Sequence, residues 1–179
     1  WKRPNEKVDL VKLELNQPIL PCSKQTFTLA YEVKIPDAKF TRYGYDNNGR
    51  ITLKNWYLNP SRYEHKQFVL QSNENLDDIP NAFSDFEIEF ELPIKYNLSS
   101  NLLEINSFEL VDTKKVLLNA KNKSEVIITV QPTNTYQTYK NEIIEVSCGI
   151  EDSRVKDIDK AIIFDKVSRF TASKLGLPL

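Results

Sequence analysis

His65 is the only histidine in the chain, and Cys22 and Cys148 are its only cysteines. That inventory decides most of the chemistry. Structural and catalytic zinc sites draw Cys and His ligands at short, recurrent spacings, and two distant cysteines with one histidine match none of them. A Cys–His nucleophile pair needs proximity, and nothing brings His65, within Arg62-Tyr63-Glu64-His65-Lys66, towards either thiol. The four glycines stand isolated at 44, 49, 149 and 176, so neither a Gly-rich phosphate loop nor a Gly-x-Ser-x-Gly elbow is present. Asp46-Asn47-Asn48-Gly49-Arg50 opens like a calcium loop and then fails it. An oxygen ligand, Gly and Glu are required where Arg50, Ile51 and Tyr57 stand. Asp77-Asp78 with Asp85 would make an acidic loop able to line a cation site, although such loops are usually just solvated. Glu87, Glu89 and Glu91 have the spacing of paired carboxylates on one strand face. Alternating acids of that kind more often solubilise a surface and block edge-to-edge pairing. These absences favour a non-enzymatic protein with no metal and no cofactor.

A stronger signal is the segregation of charge. Residues 39–67 hold Lys39, Arg42, Arg50, Lys54, Arg62 and Lys66 against Asp46 and Glu64, six bases less two acids, or +4. Phe40, Tyr43, Tyr45, Trp56, Tyr57 and Tyr63 are interleaved with them. Residues 72–92 hold seven acids and no base. Tyr, Trp and Arg are the residues favoured at protein interface hot spots. Arg42, Tyr43, Tyr45, Arg50, Trp56, Tyr57, Arg62 and Tyr63 are therefore the candidate binding residues. Basic residues among aromatics can also grip a nucleic-acid backbone, but such domains carry a net positive charge. Here 24 Lys+Arg face 25 Asp+Glu. The competing expectation is that the basic and acidic stretches neutralise each other across neighbouring strands, with the aromatics in the core.

The chain of 179 residues has the size of one domain, or at most of one domain with an appended element. It begins Trp1-Lys2-Arg3-Pro4 and contains no Met, as expected of a piece of a larger protein. A processed secreted chain and an intracellular module fit equally well. If extracellular, Cys22 and Cys148 would close a long loop worth roughly 4 kcal/mol. Otherwise they are reduced, small apolar residues, and Cys148 ends the alternation Ile144, Val146, Cys148. Asn97-Leu98-Ser99 and Asn122-Lys123-Ser124 are sequons of the number that chance supplies. No apolar stretch nears the roughly 18 residues that would span a membrane.

The elements that must position these groups are mostly strands. Period-two alternation runs through Phe27, Leu29, Tyr31, Val33, Ile35 and again through Phe86, Ile88, Phe90, Leu92. Val126, Ile128, Val130 continues the pattern. The phase slips by one residue between Leu10 and Val11, and between Ile105 and Phe108, as a bulge requires. Asn47-Asn48-Gly49 predicts a tight hairpin between Lys39–Tyr45 and Arg50–Leu58. Residues 71–85 read as a long loop. From Asp157 the pattern becomes helical, with Ile163, Val167 and Phe170 on one face. Asp157 or Asp159 is placed to cap it, and Gly176 to end it.

The expected architecture is mainly β: an antiparallel two-sheet sandwich, Ig-like or jelly-roll-like, of nine or ten strands over residues 1–156. A C-terminal helix over 157–179 would pack on the sandwich or lead to a further domain. The function expected is protein–protein interaction through the aromatic–basic hairpin face. Two alternatives stand beside it. One is a β-domain holding a small lipid or carbohydrate. The other is a secreted or viral-surface module that assembles through sheet edges.

Overall fold

The computed structural model describes residue 2 and residues 10–69, 81–132, 136–149 and 154–176. Asp77 and Asp78 and most of the 71–85 loop lie outside the described residues. The described chain is mainly strands, arranged as four antiparallel sheets, with one C-terminal helix.

The first sheet is built on the predicted hairpin. β1 (Gly44–Tyr45) pairs with β2 (Ile51–Lys54) around the Asn47-Asn48-Gly49 turn. Asp46 organises that turn, its Oδ1 accepting the N–H groups of Asn48 and Arg50, each at 2.9 Å. A short hairpin follows, β3 (Tyr63–Glu64) against β4 (Gln67–Phe68).

β5 (Ser84–Pro93) is ten residues long and obeys its sequence pattern. Phe86, Ile88, Phe90 and Leu92 turn inward, and Glu87, Glu89 and Glu91 are exposed. β6 (Asn97–Ser100) comes next, then β7 (Leu103–Glu109), β8 (Thr113–Lys123) and β9 (Ile127–Gln131). The first sheet is completed in the order β1-β2-β9-β6, and a second runs β5-β8-β7. The predicted phase slip is real: the β7–β8 register shifts between Glu104 and Asn106.

One apolar cluster draws on both sheets. Leu92, Val116 and Leu118 come from the second sheet, and Ile128 and Val130 from β9, with Val126 beside it and Leu102 from the turn before β7. Among the described residues, Leu118, Val126 and Ile128 are the largest side chains fully shut from solvent. The sheets are small and unclosed, four in number among the described residues, where the sequence led us to expect two.

β7 runs against the pattern of its neighbours. Cross-strand partners share a face of the sheet. Glu104 and Ser107 lie opposite Leu118 and Val116, on the core side. Leu103 and Phe108 lie opposite Asn119 and Lys115, on the outer side with the β5 glutamates. The edge strand thus directs its large apolar residues away from the core, and every one of its residues is exposed.

The Phe27–Ile35 stretch, whose alternation predicts a strand, is paired with no strand among the described residues. Phe27, Leu29, Tyr31 and Val33 are 46–49% exposed. Just beyond it the chain is tied to β1. Tyr45 donates to the Pro36 carbonyl and Ala38 to the Tyr45 carbonyl, both at 2.9 Å. Gly44 makes this approach possible: its φ is +128°, and a Cβ there would stand 2.1 Å from the Pro36 oxygen.

The last strands, β10 (Gln137–Lys140) and β11 (Glu145–Cys148), form a separate hairpin. The helix α1 (Asp157–Leu175) follows. Its N-cap is Lys156, with no side-chain cap bond, so neither Asp157 nor Asp159 caps it as predicted; both sit inside the first turn. Gly176 terminates it at φ 85°, as expected. The helix meets the hairpin through its polar face. Asn141 donates to Asp165 at 3.1 Å and to Ser168 Oγ at 2.8 Å, while Tyr139 lies 6.0 Å from Phe164, ring to ring. The predicted apolar stripe points elsewhere: Ile163, Val167 and Phe170 are 58%, 57% and 64% exposed.

Candidate aromatic groove

Positive-φ Asn55 (φ 53°) ends β2 and turns the chain, setting Trp56 and Tyr57 against the second sheet. Trp56 stands edge-on to Phe90 at 6.0 Å, and Tyr57 edge-on to Phe86 at 5.4 Å. Trp56 and Tyr57 also meet each other edge to face at 5.7 Å. Interlocked edge-to-face rings hold one another in orientation.

Together they floor a groove of ≈ 580 Å³. One wall is the loop 56–60. The other is six consecutive residues of β5, from Ser84 to Glu89, and Tyr31 closes the rim. Tyr31 Oη accepts the Leu58 N–H at 3.4 Å, which holds it at that rim. β5 pairs only with β8 among the described residues, so the groove runs along an unpaired strand edge. On such an edge, alternate residues direct backbone N–H and C=O groups outward.

The groove is acidic. Asp85, Glu87 and Glu89 line it, and no Lys, Arg or His does. Asp85 is occupied in accepting the Asn122 N–H at 2.9 Å, and Glu89 pairs with Lys115 Nζ at 2.6 Å. The Glu89 carboxylate holds the Lys115 ammonium above its ordinary pKa. The Glu87 carboxylate has no ion pair or hydrogen-bond partner among the described residues. The Trp56 indole N–H is shut from solvent and also meets no acceptor among them. Burial raises the Tyr57 phenol, an effect the Val126 N–H donor partly offsets.

Of the eight residues singled out from the sequence, Trp56 and Tyr57 line this groove and the other six do not. Arg42 is exposed, with φ 63°. Tyr43 is half-buried, with Lys54 Nζ 5.6 Å from its ring centroid. Lys54 is held protonated above its usual range, first by its hydrogen bond to Glu125, with which it forms a 3.1 Å ion pair. Tyr45 is exposed on β1. Arg50 Nε donates to Gln131 Oε1 at 3.2 Å. Arg62 pairs with Glu64 at 2.8 Å, and exposed Tyr63 stacks edge-on to Phe68 at 5.0 Å. The acids of β5 are met across the strand by Lys115 of β8 and not by the 39–67 bases.

Sequence reasoning missed Tyr31 and the β5 wall as parts of one site. The two alternations were visible; their meeting across residues 56–60 is a tertiary event with no local mark. Cys22 is exposed at φ 60° and Cys148 half-buried, and both thiols are free. Among the described residues, no group of three His, Cys, Asp or Glu is placed to hold a metal, and no helix is long and apolar enough to cross a membrane. No known protein family, curated protein or solved structure matches this chain.

Proposed function

We propose that the chain is a non-enzymatic interaction module, its two larger sheets acting as the leaves of one sandwich. It binds an extended segment of a partner protein along the free edge of β5. One observation carries this reading: a ten-residue strand, one edge of which has no partner among the described residues, borders an aromatic-lined groove. Strand addition draws affinity from main-chain hydrogen bonds and specificity from alternate side chains. The segment that fits is apolar at every second residue, to extend the row Phe86, Ile88, Phe90. Between these it is basic, to meet Glu87 and its neighbours.

The test is calorimetric titration with a ten-residue peptide of that pattern, beside a scrambled peptide of equal composition. The patterned peptide should bind about tenfold more tightly or better, a difference of roughly 1.4 kcal/mol. Trp56→Ala and Glu87→Lys should each weaken it. Equal binding of the scrambled peptide, or uptake of a soluble oligosaccharide in its place, would overturn the reading.

A further inference from the structure

The helix α1 carries an apolar stripe that the rest of the described chain leaves bare. At about 3.6 residues per turn, Ile163, Val167 and Phe170 share one face, with Asp159 one turn before them and Lys174 one turn after. The three apolar side chains are 57–64% exposed. The contacts to the β10–β11 hairpin come from Phe164, Asp165, Ser168 and Arg169, away from this stripe. We propose that the stripe is the contact between two copies of the chain, whose α1 helices pair antiparallel about a two-fold axis between Lys166 and Val167. This contact is independent of the β5 groove.

Symmetry and charge point to a second copy. A two-fold contact brings residue i of one copy to residue j of the other, and j to i. The stripe meets that condition. Ile163 and Phe170 lie equally far from the axis, so each Ile163 would pack on Phe170 of the second copy. Asp159 and Lys174 also lie equally far from it, so each acid would meet a base at both ends of the pair.

These charges are available. Lys160 Nζ pairs with Asp157 at 3.4 Å, and Arg169 pairs with Asp165 and Glu142. Asp159, Lys166 and Lys174 make no ion pair among the described residues. The charge left over is one acid near the start of α1 and two bases in its second half. The Lys174 ammonium already stands beside the stripe, 5.8 Å from the Phe170 ring centroid. Lys166 is exposed at the flank of the axis, where its ammonium stays in water. Any single helix favours acid at its start and base at its end. That preference does not require the two to share the apolar stripe at equal distances from its middle. A parallel pair would set Asp159 against Asp159 and Lys174 against Lys174.

One helix pair is a small interface, so dimerisation should be weak, with Kd roughly 10–100 µM. Sedimentation equilibrium of the full chain, from about 1 µM to about 1 mM, tests it. Asp159→Lys alone and Lys174→Asp alone each place like charges at both ends of the pair, and each should weaken dimerisation about tenfold or more. A one-to-one mixture of these two variants restores opposite charges at both ends, and its heterodimer should be about as tight as the unaltered dimer. Effects of either change within a single helix are the same alone and mixed, so the recovery reads the contact itself. Val167→Lys should abolish the dimer, and because that side chain is exposed, far-ultraviolet circular dichroism should be unchanged. A chain that stays monomeric over the whole range would overturn the second copy. Self-association that survives Val167→Lys would overturn the stripe as its site. A mixture no tighter than its separate variants would overturn the antiparallel register.

Discussion

The Tyr57 hydroxyl accepts the backbone N–H of Val126 at 3.2 Å. That bond ties the loop after β2 to the start of β9 at a residue with no solvent exposure. Tyr57→Phe keeps the ring against Phe86 but leaves a buried N–H unpaired. It should cost about 1–3 kcal/mol of stability, read from the midpoint of a urea melt. Because burial raises the phenol above its ordinary pKa, its contribution is complete below about pH 10 and is lost as pH rises through the folded value. The wild-type melt should therefore weaken above pH 10 by more than that of Tyr57→Phe.

Ile128 and Leu118 join the two larger sheets through one cluster. Ile128→Ala or Leu118→Ala should each cost about 2–5 kcal/mol, because neighbours drawn from two sheets relax only in part into the cavity. A loss well under that range in both variants would show that the sheets do not share a tight core.

Arg169 binds Glu142 through two nitrogens and Asp165 through Nε at 2.9 Å, fastening α1 to the turn between β10 and β11. The guanidinium holds both carboxyls below their ordinary pKa values. Carboxylates depressed in this way stabilise the docked form above the unfolded value and lose that effect as pH falls through the folded one. Helix docking should accordingly loosen below about pH 4, seen as faster amide exchange in β10, β11 and α1 before the sheet core responds. Asn141→Ala should produce the same loosening at neutral pH.

Gly44→Ala should be far more damaging than a usual surface Gly→Ala change. The added Cβ would meet a backbone carbonyl, and φ +128° is closed to alanine. The expected result is detachment of residues 36–38 from β1, measured as a large rise in proteolytic cleavage near Pro36.

Much of the framework was legible because the deciding forces are local. Alternation marked β5 and β9, Asn-Gly chemistry marked the first hairpin, and the slip after Ile105 marked the register shift in β7. The helix could be bounded from Asp157 to Gly176 for the same reason. Periodicity states which residues share a face and not what that face meets. Ile163, Val167 and Phe170 share a face as expected, yet Asn141 and Glu142 engage the other side of α1. Phe27–Ile35 has the strand pattern and no strand partner among the described residues. Trp56 was legible as a binding aromatic but not as the neighbour of Phe90, because that contact joins a loop to a strand 34 positions away.

The backbone bonds that join Pro36 and Ala38 to Tyr45 also serve as an anchor for the groove. They fix the end of the Phe27–Ile35 stretch to β1, while the Tyr31 hydroxyl fixes its middle to Leu58. Release of that anchor in Gly44→Ala would therefore be felt five residues upstream of Pro36, at the rim of the groove, although Gly44 itself lies outside it.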